Sequence, residues 1–354
     1  MADIYCDNTN GNDSTGDGSS GTPYKTIQKS VDVATAGDVI WIGDTSAQVL
    51  TTAISWASGW GGGTSDTSML TIRGWDYSGG AGVDGIGEID ANSAAATIFS
   101  TTSTPTDVII YHLNCHDTTG NVIDPNTNWY VVECEIHGGT NGVDEASDGI
   151  VMGCNVHDCS ASGIRVASSE IVCFNTLANN TNAGIRIAGS DTAVFGNMIS
   201  TGAYRGIDVN QDGAVIVNNT IVGDGTSNNT GIWIASSSYD RHVIINNLIV
   251  DCAGGTGIGI NHNSGTVVIS GGNQFYNCDT DEASSLTKLS VQANSTADPA
   301  LVGSGDFTPT AFVDGWPVTL GSTTTENKIG AVQEAGGGGG GGLMEPGSMN
   351  GGMV

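Results

Sequence analysis

The chain runs to 354 residues with 37 acidic and nine basic side chains, a formal charge of −28, and 54 glycines. So few cations exclude a protein that tracks nucleic-acid phosphates, because that affinity comes from clustered Lys and Arg. With 38% hydrophobic and only 13% charged residues the composition is not that of a disordered chain, and no apolar run approaches the roughly 18 residues of a membrane span.

The first stretch, MADIYCDNTNGNDSTGDG, lacks the basic and then apolar regions of a secretion signal. A virion surface, or an extracellular place reached without such a signal, is therefore expected. Asp7, Asn10, Asp13 and Asp17 make an acidic loop that reads as a polar cap or as a calcium site; no other cofactor is expected. Next, Thr22 reads as an N-cap and Pro23 as the first helical position, with Ile27, Val31 and Ala34 on one face. A short amphipathic helix there would close the open end of a solenoid. These features define a cap and first coil over residues 1–44. Residues 45–106 carry longer, less regular segments with Trp56, Trp60 and Trp75. Those indoles read as packing or as contacts for a sugar. GGAGVD at 79–84 is half of a calcium nonapeptide and carries little alone.

From residue 142 the chain repeats itself. Gly142-Val143, Gly163-Ile164, Gly184-Ile185, Gly206-Ile207, Gly231-Ile232 and Gly257-Ile258 recur at 21 to 26 residues, and Asn175, Asn197, Asn219, Asn247 and Asn273 keep step with them. Short Val- and Ile-rich alternating stretches lie between, with no helical segment per repeat. A fixed period of this length with strands alone means a β-solenoid. Its coils stack at about 4.8 Å, so equivalent residues form files along the axis. The five asparagines are then a structural amide ladder at an inward bend. Cys134 and Cys154 share that file, Cys159, Cys252 and Cys278 share another, and Cys115 falls among the isoleucines. They read as small buried hydrophobes, with Cys252–Cys278 and Cys134–Cys154 the pairs in which to look for a disulfide.

Three further sets carry residues of catalytic or metal-binding type. Asp144, Arg165, Arg186 and Asp208 lie on an outward file; a lyase would want a basic residue beside calcium-binding acids there, but alternating charges also make a plain surface ion ladder. Asp158 with Asp117 or Asp251 could be a hydrolytic pair, yet stacked coils place any adjacent acids near that distance. His116, His137 and His157 recur at 21 and 20 residues; parallel imidazoles do not point at one ion, so no metal centre and no catalytic residue is assigned. Coils are expected over 45–283, a closing segment over 284–333 and a tail over 334–354. That tail holds seven consecutive glycines and then Leu343, Met344, Met349, Met353 and Val354, an attachment peptide by composition.

IYCDNTNGNDSTGDGSSGTPYKTIQKSVDVATAGDVIWIG (4–43) resembles the N-terminal cap and first coil of the right-handed parallel β-helix, pectate-lyase-like superfamily. DPALVGSGDFTP (298–309) and NKIGAVQ (327–333) are similar to its closing segment. The resemblance implies an all-β, single-stranded right-handed parallel β-helix with a short capping helix. It does not fix an activity, since the superfamily holds lyases, hydrolases, epimerases, tailspikes and non-catalytic surface proteins. The chain also resembles phage β-helix proteins. The expected function is a non-enzymatic virion component, a capsid decoration, head fibre or tail appendage held by its tail to other virion proteins or to its own copies as a homotrimer or larger. A polysaccharide lyase or glycoside hydrolase on a surface glycan is the alternative, and a bacterial surface or filament subunit the third.

Overall fold

A computed structural model describes residues 1–56 and 69–283 except 96, 100–106, 126, 145–147, 202–203, 226–228, 237 and 263–266, and then 287–290, 294–299, 301–303, 306–309, 319–320 and 323–324. Among these residues the chain winds as a parallel β-helix of three sheets. Sheet A has twelve strands, from Asp3–Cys6 to Thr287–Ser290; sheet B has ten, from Gln48–Val49 to Gln274–Tyr276; sheet C has seven, from Val143–Asp144 to Thr280–Glu282. One coil shows the order: Ile171–Cys173 in A, Thr176–Asn180 in B, Ala183–Ile187 in C. Strands of successive coils pair in parallel, with Ile164, Ile185 and Ile207 in register.

The corners explain the abundance of Asn, Asp and Gly. The bends between sheets repeatedly place a residue at positive φ, a region that Gly, Asn and Asp visit at lowest cost. The bend into sheet A uses Asn128, Ser169, Asp191 and Gly213; that from A to B uses Gly153, Phe174, Gly196, Asn218 and Asn246; that from B to C uses Asp117, Gly138, Asp158 and Asn179. The glycine of the repeated phrase has a different reason. A Cβ on Gly184 would lie 2.4 Å from Ile199 Cγ2 and 3.0 Å from the carbonyl oxygen of Gly206. The strand of sheet C starts hard against sheet B, and only hydrogen fits.

Inward residues form apolar files one side chain wide. Val172, Val194 and Ile216 from A, Leu177, Ile199 and Ile221 from B, and Ile185, Ile207 and Ile232 from C are all at most 1% exposed. Each such side chain contributes about 1.5–3 kcal/mol by burial. One inward file departs from this rule. At the start of sheet A, Glu170, Thr192 and His242 are at most 1% exposed, and Glu170 Oε1 and Oε2, Thr192 Oγ1 and His242 Nε2 have no hydrogen-bond partner. Burial pushes the Glu170 carboxyl up to about 8, with Asp148 and Asp144 adding to it, and holds the His242 imidazole down at about 4.

Two sequence expectations are corrected. The helix, α1, spans Ile27–Val33 and its N-cap is Thr26, whose Oγ1 accepts from Lys29 N at 3.2 Å. Thr22 does not cap it, because Asp13 takes the N–H groups of Lys25 and Thr26 at 2.7 and 3.0 Å and holds that stretch extended. Ile27, Val31 and Ala34 do face the core. The last glycine phrase is Gly259-Ile260, not Gly257-Ile258, since Ile232 pairs with Ile260. The extra residues lie in the connection before it, from sheet C to sheet A, where Ile234 to Ile244 spans ten positions against seven from Val209 to Ile216.

Beyond residue 283 the described strands include two antiparallel pairs, Leu301–Gly303 with Asp306–Pro309 and Thr319–Leu320 with Thr323–Thr324. The tail residues Leu343, Met344, Met349, Met353 and Val354 lie outside the described residues, as does Trp60. Among the described residues no helix is long and apolar enough to cross a membrane.

Candidate functional site

The asparagine file at the bend from A to B is buried throughout, none of the five being more than 1% exposed. Asn175 Nδ2 donates to Asn197 Oδ1 at 3.0 Å, Asn197 to Asn219 at 2.9 Å, Asn219 to Asn247 at 3.0 Å and Asn247 to Asn273 at 3.1 Å. Each Nδ2 also reaches a carbonyl of the coil before, as Asn219 does to Val194 at 3.0 Å. The file continues to Asn294, whose Oδ1 accepts from Asn273 N at 3.1 Å. That residue escaped the sequence reading because it follows the last clear repeat.

All eight thiols are free, and all but the half-buried Cys278 are buried. Burial pushes the Cys159 thiol up to about 12, so it is not a nucleophile. Cys154 is raised by burial and then by Cys134, and Cys252 by its hydrogen bond with Cys278 and by burial. Cys115 pairs with Ile89 and Ile136.

Trp56 and Trp75 are 5% and 1% exposed. Trp56 packs against Phe99 and Trp129, and Trp75 against Tyr5 and Tyr77 on the outside of sheet A. Neither offers a ring face to a sugar. In the acidic loop, Asp7 accepts from Thr9 N, Asn10 N and Thr45 Oγ1, and Asp17 from Ser19 N and Thr22 Oγ1. These carboxylates already organise the loop backbone.

On the outer face of sheet C, Asp144, Arg165, Arg186, Asp208 and Trp233 occupy successive rungs. Asp144 takes Arg165 Nη1 and the amides of Asn121 and Asn141 at 2.9 and 3.1 Å. Asp208, 2% exposed, accepts from Arg205 Nη1 at 3.0 Å and faces Arg186 Nε at 4.0 Å. Arg205 lies 4.8 Å from the Trp233 ring centre. An anionic ligand would therefore have to displace an aspartate from these arginines. Burial, with Asp144 adding to it, pushes the neighbouring Asp124 carboxyl up to about 6. Asp124 was missed in the sequence because it belongs to no repeated phrase, and Trp233, although it follows Gly231-Ile232, because that file stands out by its charges.

The outer face of sheet B carries the histidines. Asp90, His116, His137 and His157 are in register, followed by Ala178. The rings stack at 4.9 and 4.8 Å, their planes within 3° and 9°. Burial, then His157 and His116, hold the His137 imidazole below its usual range. His116 Nε2 meets Glu88 at 3.1 Å; His157 Nδ1 meets Asp158 at 2.7 Å, and its Nε2 faces Glu135 at 3.3 Å. Glu88 and Glu135 were overlooked, although Glu135-Ile136-His137 shows the two-residue spacing that puts both side chains on one face. Asp117 and Asp158 are two coils apart with Gly138 between, and Asp251 is further along the same bend.

Several solved structures share this fold. A glycoside hydrolase superposes with a TM-score of 0.64 at 8% identity, over 83% of this chain and 96% of that one. Pectate lyase Pel9A gives 0.53 at 11% over 95% and 97%. A mannuronic acid specific polysaccharide family 6 lyase from human gut microbiota gives 0.52 at 13% over 84% of each. At such identity the likeness is one of fold, the right-handed parallel β-helix. A sequence comparison with curated proteins gives no match. The profile of one family, described as periplasmic copper-binding protein (NosD), matches residues 94–291. With more than half of its length matched, and with the coils that carry the histidine file inside that span, the chain belongs to the NosD family.

Proposed function

We propose that this protein is a non-enzymatic rigid shaft on the surface of a virion, a capsid decoration, head fibre or tail appendage held through its Gly-rich C-terminal segment. The supporting observation is the asparagine file, which ties each coil to the next from Asn175 to Asn273 inside the core. Such a spine suits a load-bearing part, and the charges on sheet C are largely matched to one another. The apolar side chains after the glycine tract supply the anchor by composition. Proteomics and immunogold imaging of purified particles test this: the chain should decorate particles, and truncation of 334–354 should release it. Particles devoid of the chain would reject the reading.

A second reading, cleavage of an acidic glycan, is favoured by Asp124. A carboxyl raised to about 6 beside Asp144 and Arg165 lies in the range of a general acid or base. It predicts new reducing ends or unsaturated uronate on a glycan panel, abolished by Asp124→Asn; no product from any glycan would remove it.

The family description brings copper. The donor set that fits it among the described residues is the imidazole and carboxylate file on sheet B, where the buried His116 Nδ1 has no hydrogen-bond partner. His137 and His157 with Glu135, or His116 with Asp90 and Asp117, would hold the ion there.

A further inference from the structure

The tautomers on sheet B leave a lone pair unanswered at two places. His157 Nδ1 lies 2.7 Å from Asp158 Oδ2. A carboxylate only accepts, so Nδ1 carries the proton and Nε2 of the neutral ring is a bare acceptor. That Nε2 faces another acceptor, Glu135 Oε1, at 3.3 Å. His116 repeats the pattern with its nitrogens exchanged. Its Nε2 is held by Glu88 at 3.1 Å, while Nδ1 lies 3.2 Å from Asp117 and 3.8 Å from Asp90 without a hydrogen bond to either. His116 is 9% exposed, so water does little to answer it. Acceptors facing acceptors are stable only with a cation, or a second proton, between them.

We propose that this file binds a divalent transition-metal ion through Glu135, His137 and His157, with Asp90, His116 and Asp117 forming a second set on the two coils before. In each set the three ligand atoms lie within 4.8 Å of one another. Ligands about 2.0–2.2 Å from one ion are roughly 3–4 Å apart, so closure takes side-chain shifts of about an ångström and no change in the coil. The stacked rings must tilt out of their parallel arrangement to do so. Asp158 stands behind His157 as carboxylates stand behind ligating imidazoles, fixing the tautomer. Mixed nitrogen and oxygen donors suit copper(II), nickel(II) and zinc(II), and copper(II) binds such sites most tightly. The inference rests on the fit to copper noted above and is independent of the virion reading.

The test uses the full chain stripped with a chelator and titrated with copper(II) alone, followed by calorimetry and pulsed electron paramagnetic resonance. Saturable binding with imidazole-nitrogen modulation is expected. The His137→Gln/His157→Gln double variant should lose at least tenfold in affinity together with that modulation. Asp158→Asn, which touches no ion, should weaken binding about 10–100-fold while the far-ultraviolet spectrum and melting curve stay unchanged. That single variant decides the matter if the double variant does not fold. A spectrum without imidazole nitrogen, or equal affinity in Asp158→Asn and the parent, would overturn the proposal; the facing acceptors would then be bridged by protons, as imidazolium.

Discussion

One bend of the rod is built in two chemistries. From Asn175 to Asn273 the side chain at the A-to-B corner is an amide; at Cys134 and Cys154 it is a thiol. Both point at the same target. Cys134 Sγ reaches the Ile110 carbonyl at 3.8 Å and Cys154 Sγ that of Val131 at 3.5 Å, where Asn175 Nδ2 reaches Val151 at 2.9 Å. The amide does more. Its Oδ1 also accepts the N–H of the preceding coil, so Asn175 takes Cys154 N at 2.8 Å, and a thiol is only a weak acceptor. The corner requires a small donor, and what the asparagines add is continuity.

The severest way to break that comparison is Asn219→Ala. It removes the acceptor of Asn197 N and the donor to Val194, leaving buried groups unpaired on both sides. A loss on the order of 3–5 kcal/mol is expected in urea unfolding.

Glu170 asks the same question of a file in which partners are missing. Its folded carboxyl is raised from 4.5 to about 8, so the native state holds the proton longer than the unfolded chain. Stability is therefore full below about 4.5 and declines as pH rises towards 8. Glu170→Gln should abolish that slope and be more stable by about 3 kcal/mol at neutral pH, read from melts across pH. His242 tilts the acid side the opposite way. Held down from 6.5 to about 4, it lets the unfolded chain bind a proton first, so stability falls as pH drops through that interval.

Cys154→Asn sharpens the comparison by extending the ladder one coil. It should gain about 1 kcal/mol if Oδ1 finds the Cys134 N–H. The smallest effect is at the residue before the ladder. Phe174 sits at φ 58° and is 40% exposed. Its ring contact with Phe195 offsets part of the roughly 1–2 kcal/mol that a left-handed conformation costs. Phe174→Asn, matching Asn218 and Asn246 in the same bend, should raise stability by about 0.5 kcal/mol.

Much of the rod was readable because a solenoid turns sequence period into spatial neighbourhood. The asparagines, the His116–His137–His157 file and the isoleucine register all follow from spacing. What failed was whatever spacing does not encode. Thr22 and Thr26 both look like caps, and the choice fell to Asp13, a loop residue that holds the backbone between them. Gly257-Ile258 and Gly259-Ile260 are alike, and only pairing with Ile232 separates them. Trp56 and Trp75 lie among the less regular segments before residue 107, where no period says which side faces in. Glu135 escaped attention because the histidine file was followed from coil to coil and not along the strand Glu135–His137.

The three extra residues between Ile234 and Ile244 have a consequence for how such a molecule grows. Axial advance is set by strand pairing and circumference by the loops, so extra residues widen a coil without lengthening the shaft. The molecule is a ruler graduated in coils rather than residues: an insertion between sheets C and A alters the silhouette at one height and leaves the distance between the two ends as it was.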